Sequence, residues 1–171
     1  MQTRNQHQNK RWEALKVMMS RVQKGMIAGF SATVAVSGLE LVNILLLKWF
    51  APFPNIIANI VGLGGNMLAG WVIHFIAGTL VLGPLFGILC PRLPTQTPET
   101  KGIVFAVGAW IVLMLVIVMT GNNGAFGRNF GTVGWMLVTN AVFGIVLGNV
   151  YARLVARDAR THPVVHGAPA H

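Results

Sequence analysis

Between Gly70 and Leu89 the chain runs for about twenty residues, opening Gly70-Trp71-Val72-Ile73-His74-Phe75-Ile76-Ala77-Gly78, with His74 as its one charge-capable group. A helix rises about 1.5 Å per residue, so this stretch is long enough to cross a bilayer. Three more runs of similar character lie at about 25–47, 101–119 and 132–152. Inside hydrocarbon a backbone must satisfy its own N–H and C=O groups, and a continuous apolar run does so as a helix. The expected fold is all-α: a polytopic membrane protein with four transmembrane helices in one bundle. Charged residues make up only 10% of the chain, against about 25% in a soluble domain, and 54% of it is hydrophobic.

The basic residues set the expected topology. The formal net charge is +9. Its cations gather in the N-terminal arm, in the connector that holds Arg92 and Lys101, and in Arg153, Arg157 and Arg160. The loops on the other side hold Lys48 and Arg128. That asymmetry predicts both termini inside, N-in and C-in, and accounts for the positive charge without nucleic acid. Residues 1–24 form a polar arm. Within it Trp12, Leu15, Met19 and Val22 recur at helical spacing, with Lys10, Arg11, Lys16, Arg21 and Lys24 among them. This pattern predicts a basic amphipathic helix on the membrane surface, with its cations against anionic lipid headgroups. The polar N-region is too long for a cleavable signal peptide. Residues 153–171 are expected to form a disordered cytoplasmic tail. One cysteine, Cys90, excludes an intramolecular disulfide.

Small residues mark where helices approach. Gly25, Gly29, Thr33 and Ser37 recur every four residues on the first span, Gly78, Gly83 and Gly87 stud the second, and Gly144 and Gly148 the fourth. Pro52 and Pro54 end the first span, and Ile56, Ile57, Ile60 and Val61 then share one face of a short outer interfacial helix. Pro84 is expected to kink the second span. The third span, without charge after Lys101, is expected to carry least of the function. Lys24-Gly25 and Lys101-Gly102 open two halves that repeat faintly in parallel.

Glu40 and His74 are the acid and the histidine within the spans. An ionised carboxylate in hydrocarbon costs at least about 2.5–3.5 kcal/mol, so such groups turn inward and find partners. Counting rise per residue places Glu40 roughly 6 Å and His74 roughly 7 Å from the midplane, both outward, and Asn140 within about 5 Å. Glu40, Asn43, His74 and Asn140 are therefore expected to form one intramembrane polar cluster. Such a cluster is either a proton-relaying pair or a structural clasp that fixes helix register. Glu40 with His74 falls short of a zinc site, which takes three or four ligands. No cofactor is expected within one chain, and His74 holding haem at a subunit interface is the weaker alternative. No nucleophile–base pair stands on a water-exposed frame, so the protein is not expected to be an enzyme.

The Gly70-Trp71-Val72-Ile73-His74-Phe75 run resembles a family of small bacterial four-helix membrane proteins of unknown function. So do Gly78, Gly83 and Gly87, Pro91-Arg92-Leu93-Pro94, Lys101-Gly102, Phe143-Gly144 and Leu147-Gly148. The similarity covers about residues 24–152. It implies the four-helix fold and location in the bacterial inner membrane, and it supplies no activity. Members of that family often carry a histidine in the last helix, where this chain has Asn140. Small size, little soluble mass and small-residue stripes point to a non-catalytic accessory or assembly subunit of a larger membrane complex, a respiratory one among the candidates, with protein partners or further copies of itself. The alternative is an oligomeric proton-coupled transporter or channel using Glu40 and His74.

Overall fold

The structure is a computed structural model that describes residues 19–119 and 130–161. The described residues form helices and connecting turns, and four of the helical runs are long and apolar enough to cross a membrane: Arg21–Leu47, Met67–Arg92, Pro98–Met119 and Phe130–Arg160. The chain is a small integral membrane protein by this measure, all-α as its apolar runs dictate.

The first span opens with helix α1, Arg21–Val42. Ser20 caps it: its hydroxyl accepts from the Gln23 N–H at 3.1 Å, and the Gln23 side chain accepts from the Ser20 N–H at 2.9 Å. This reciprocal cap satisfies two N–H groups that would otherwise lack partners. It also starts the span before Lys24, where the sequence suggests a surface helix. Lys24 is no lipid-surface cation. It is 7% exposed and its Nζ lies 2.6 Å from Asp158 Oδ2. Arg21 is exposed at the same end of the span. Lys10, Arg11, Trp12 and Lys16 lie outside the described residues, as do Arg128 and the histidines of the tail.

A π turn, Asn43–Leu47, follows α1. It ends at Lys48, whose φ of 56° is left-handed and whose N–H donates to the Asn43 carbonyl at 2.6 Å. Helix α2, Phe53–Ile60, then runs back against the start of the second span. Its buried side chains are Phe53, Pro54, Ile56 and Ala58, whereas Val61 is exposed, so the buried face starts earlier than the isoleucine spacing suggests. Gly62, Gly64 and Gly65 all take positive φ in the turn that follows, a conformation glycine adopts without strain.

The second span consists of α3, Met67–Ile76, a π segment, Ala77–Leu82, and α4, Gly83–Leu89, closed by a short 3-10 turn, Cys90–Arg92. Proline has no N–H and its ring crowds the carbonyl four residues back. The π segment lies just ahead of Pro84, and the Gly83 N–H reaches back to the Gly78 carbonyl. The widened turn is where the helix absorbs the proline.

The third and fourth spans are α5, Pro98–Met119, and α6, Phe130–Thr161. Helix α6 carries Arg153, Arg157 and Arg160 on regular helix, which corrects the expectation of a disordered tail beginning at 153. The Asp158 that meets Lys24 lies on this extension. The pair places the start of the first span and the end of the fourth at one end of the bundle, called here the terminal end.

Backbones touch at two crossings. A Cβ on Gly25 would overlap the Gly83 carbonyl, one on Gly29 the Gly78 carbonyl, and one on Gly87 the Arg21 carbonyl. In the second half a Cβ on Gly102 would overlap the Gly144 carbonyl, and one on Gly148 the Pro98 carbonyl. The faint sequence repeat therefore has a physical counterpart. Each half is a helical hairpin closed by a glycine pair, Gly25 with Gly83 and Gly102 with Gly144. Between the hairpins sits a core of Ala28, Ala32, Phe86, Phe105, Phe143 and Leu147. Phe86 meets the rings of Phe105 at 5.3 Å and Tyr151 at 5.4 Å, and the Tyr151 hydroxyl donates to the Gly87 carbonyl at 3.2 Å. Lipid tails are as apolar as these side chains, so dispersion contact and such hydrogen bonds hold the helices together.

Candidate functional site

Two polar arrangements lie within the bundle. The first is built on Glu40, which is 0% exposed. Its Oε1 accepts from the Phe53 N–H at 3.1 Å and from the Asn43 amide at 3.3 Å, and its Oε2 accepts from the Trp135 indole N–H at 3.0 Å. All three partners donate, and a carboxylate presents acceptors. Phe53 opens α2, so Glu40 also caps that helix from another element. Asn43 completes the arrangement. Its amide donates to the Phe50 carbonyl at 3.2 Å and its Oδ1 accepts from the Phe50 N–H at 3.3 Å. Phe50 stacks on Trp135 with centroids 5.1 Å apart, and the Ala51 N–H reaches Thr132 Oγ1 at 3.3 Å. Glu40 and Asn43 thus pin the returning segment 48–53 and tie it to α6.

His74 is not part of that clasp. It sits among aromatic rings, with Phe53 at 4.5 Å, Phe75 at 5.8 Å and Trp71 at 6.0 Å between centroids, and its ring has the Thr33 backbone as a hydrogen-bond partner. Asn140 also stands apart: its amide donates to the Met136 carbonyl of its own helix at 2.8 Å. The single cluster expected from depth counting is therefore two sites, Glu40 with Asn43, and His74 with Asn140. The reason is α2, which folds back and presents the Phe53 N–H to Glu40.

His74 and Asn140 share a cavity of about 370 Å³, partly open, lined from α1, α2, the second span, α5 and α6. The lining is apolar apart from His74, Trp110, Thr139 and Asn140, and among the described residues it includes no Asp, Glu, Lys or Arg. Helix α5 packs chiefly along α6 and stands off from α3, and the cavity occupies that gap. Val61, Val81 and Leu113 line it and are also 49%, 55% and 41% exposed, which marks its mouth as apolar. Two lining residues carry buried nitrogens without a hydrogen-bond partner, His74 Nε2 and Trp110 Nε1.

Residues 19–162 match a family described as Family of unknown function (DUF6789). The chain belongs to that family. DUF6789 carries no activity in its description, so the family gives kinship and not chemistry. No curated protein and no solved structure matches the chain.

For this DUF6789 member, the sequence-derived packing residues Gly25, Gly29, Gly78, Gly83, Gly87, Gly144 and Gly148 all meet other parts of the same chain. Ser37 is 8% exposed on the buried side of α1 and its hydroxyl lacks a partner. Two residues escaped sequence reasoning. Trp135 was visible as an indole donor near the depth of Glu40. Trp110 carries no such signal, because an apolar helix with one tryptophan reads as lipid-facing; the third span nevertheless supplies Ala109, Trp110 and Leu113 to the cavity. Among the described residues no three of His, Cys, Asp and Glu converge.

Proposed function

We propose that this small integral membrane protein is a non-catalytic accessory subunit of a membrane complex, and that its working part is the side-opening cavity, which holds a small apolar molecule. The observation that carries the ligand-holding part of this reading is the cavity itself: about 370 Å³ of largely apolar space, open on one side, with His74, Trp110, Thr139 and Asn140 as its polar lining residues. Small-molecule sites are of this kind, about 300–1,000 Å³ and mostly apolar with a few polar groups. Glu40 supports the same reading from the other side. Its oxygens are engaged by three donors and it makes no hydrogen bond to His74, which favours a clasp over a relay.

The test is affinity purification in mild detergent from the protein's own membranes, with protein identification and solvent extraction of the pure complex. The expected result is stoichiometric partner subunits and an apolar small molecule that Ala109→Phe protein lacks, because Ala109 lines the cavity. Identical extracts from both proteins, with no partner subunits, would overturn the reading.

A further inference from the structure

We infer that the occupant is a phospholipid of the bilayer leaflet away from the terminal end, which lays one acyl chain in the cavity through its side mouth and keeps its headgroup outside. The inference rests on the ligand-holding reading above and names the occupant.

The mouth faces hydrocarbon. Val81 and Leu113 line the cavity and are 55% and 41% exposed. Counted from the middle of their spans at about 1.5 Å per residue, they lie roughly 2 Å and 7 Å from the bilayer centre. The hydrocarbon core extends about 15 Å to either side of that centre, so what meets the mouth is acyl chain. The cavity also lies chiefly on one side of the centre. Its lining runs from the π segment of the second span to Ile57 and Ile60 of α2, at the end of the bundle opposite Lys24 and Asp158. The chain that enters therefore belongs to the leaflet on that side.

The wall suits hydrocarbon as well. The Thr139 hydroxyl and the Asn140 amide both donate to the Met136 carbonyl of their own helix, at 3.0 Å and 2.8 Å. The His74 ring has the Thr33 backbone as partner, and His74 Nε2 and Trp110 Nε1 are covered by protein atoms. Among the described residues no Asp, Glu, Lys or Arg lines the space, so a charged headgroup inside it would lack a partner. Water fares no better, since an apolar cavity stays dry. Left empty, the walls forfeit dispersion contacts on one side. An acyl chain restores those contacts and strips no polar group of water, because it passes from one apolar surrounding to another. The fold supplies the room: Ala77, Val81 and Leu82 of the π segment stand on the cavity wall, and π turns gather at functional sites.

The experiment reconstitutes the full chain in vesicles of dioleoylphosphatidylcholine or dioleoylphosphatidylglycerol, extracts it in mild detergent and counts the phospholipid that stays with it through gel filtration. Wild-type protein is expected to keep about one phospholipid per chain with either headgroup, as one cavity requires. Ala109→Phe narrows the cavity from the third span and Ala77→Leu from the second, and each is expected to keep about tenfold less. Two variants on different walls keep the result independent of whether either one folds. Leu115→Phe, on the exposed face of the third span and outside the cavity, is expected to match wild type. Equal retention by all four proteins would mean lipid on the outer surface alone and would overturn the inference. Retention of phosphatidylglycerol without phosphatidylcholine would mean a headgroup site and would overturn it too. If wild-type protein keeps neither lipid, while extracts from native membranes hold a molecule that Ala109→Phe protein lacks, the acyl-chain inference fails and the ligand-holding reading stands. No retained molecule from either source defeats both.

Discussion

The Trp135 indole N–H donates to Glu40 Oε2 at 3.0 Å, joining the fourth span to the first across 95 residues of chain. The other carboxylate oxygen caps α2 through the Phe53 N–H. One buried acid therefore sets the register of three elements.

Replacing Glu40 by Gln keeps the shape and exchanges one acceptor oxygen for a donor. One of the facing N–H groups then loses its partner, and a hydrogen bond to a charged group is worth about 1.5–3 kcal/mol. Glu40→Gln and Trp135→Phe are each expected to lower unfolding free energy in detergent by about 2 kcal/mol. The double variant should cost less than the sum, because both remove the same contact. Strict additivity would contradict the clasp.

Glycine pairs give a sharper contrast. A Cβ on Gly102 would overlap the Gly144 carbonyl, whereas one on Gly38 meets nothing within 4 Å. Gly102→Ala is expected to destabilise the second hairpin by several kcal/mol, and Gly38→Ala to stabilise by about 0.5–1 kcal/mol, the usual gain of alanine within a helix. Thermal unfolding followed by circular dichroism reads both. Equal effects would show that the crossing is not a backbone contact.

These same pairs explain what could be read from the chain beforehand. The length of four apolar runs fixes four helices, because hydrocarbon leaves the backbone no other partner for its polar groups. Small residues every four positions announce close approach, but spacing does not name the partner. Gly25 and Gly29 meet Gly83 and Gly78 of the same chain, so the stripes no longer argue for docking to another protein. Glu40 had to find partners, and depth counting along straight helices paired it with His74. That count omits the returning segment, whose backbone N–H at Phe53 lies nearer the acid. Lys24 read as a surface cation because its partner, Asp158, lies in a stretch whose arginines suggest a solvated tail.

The Lys24–Asp158 pair has side chains only 9% and 15% exposed. Removing one member of such a pair strands a charge, which costs about 3–5 kcal/mol. Lys24→Ala is expected to lower stability by about 3 kcal/mol, and the exchange Lys24→Asp with Asp158→Lys to recover most of it. Chemical unfolding of both variants measures this, and Lys24→Ala protein as stable as wild type would show the pair to be incidental.

The cavity beside His74 is expected to be occupied in the membrane. Native mass spectrometry of the protein, released from detergent without reconstitution, weighs any occupant directly. An added small-molecule mass is expected on the wild-type chain and not on Ala109→Phe protein, because Ala109 lines the cavity. A bare chain mass in both, from gently extracted membranes, would show the cavity to be empty there.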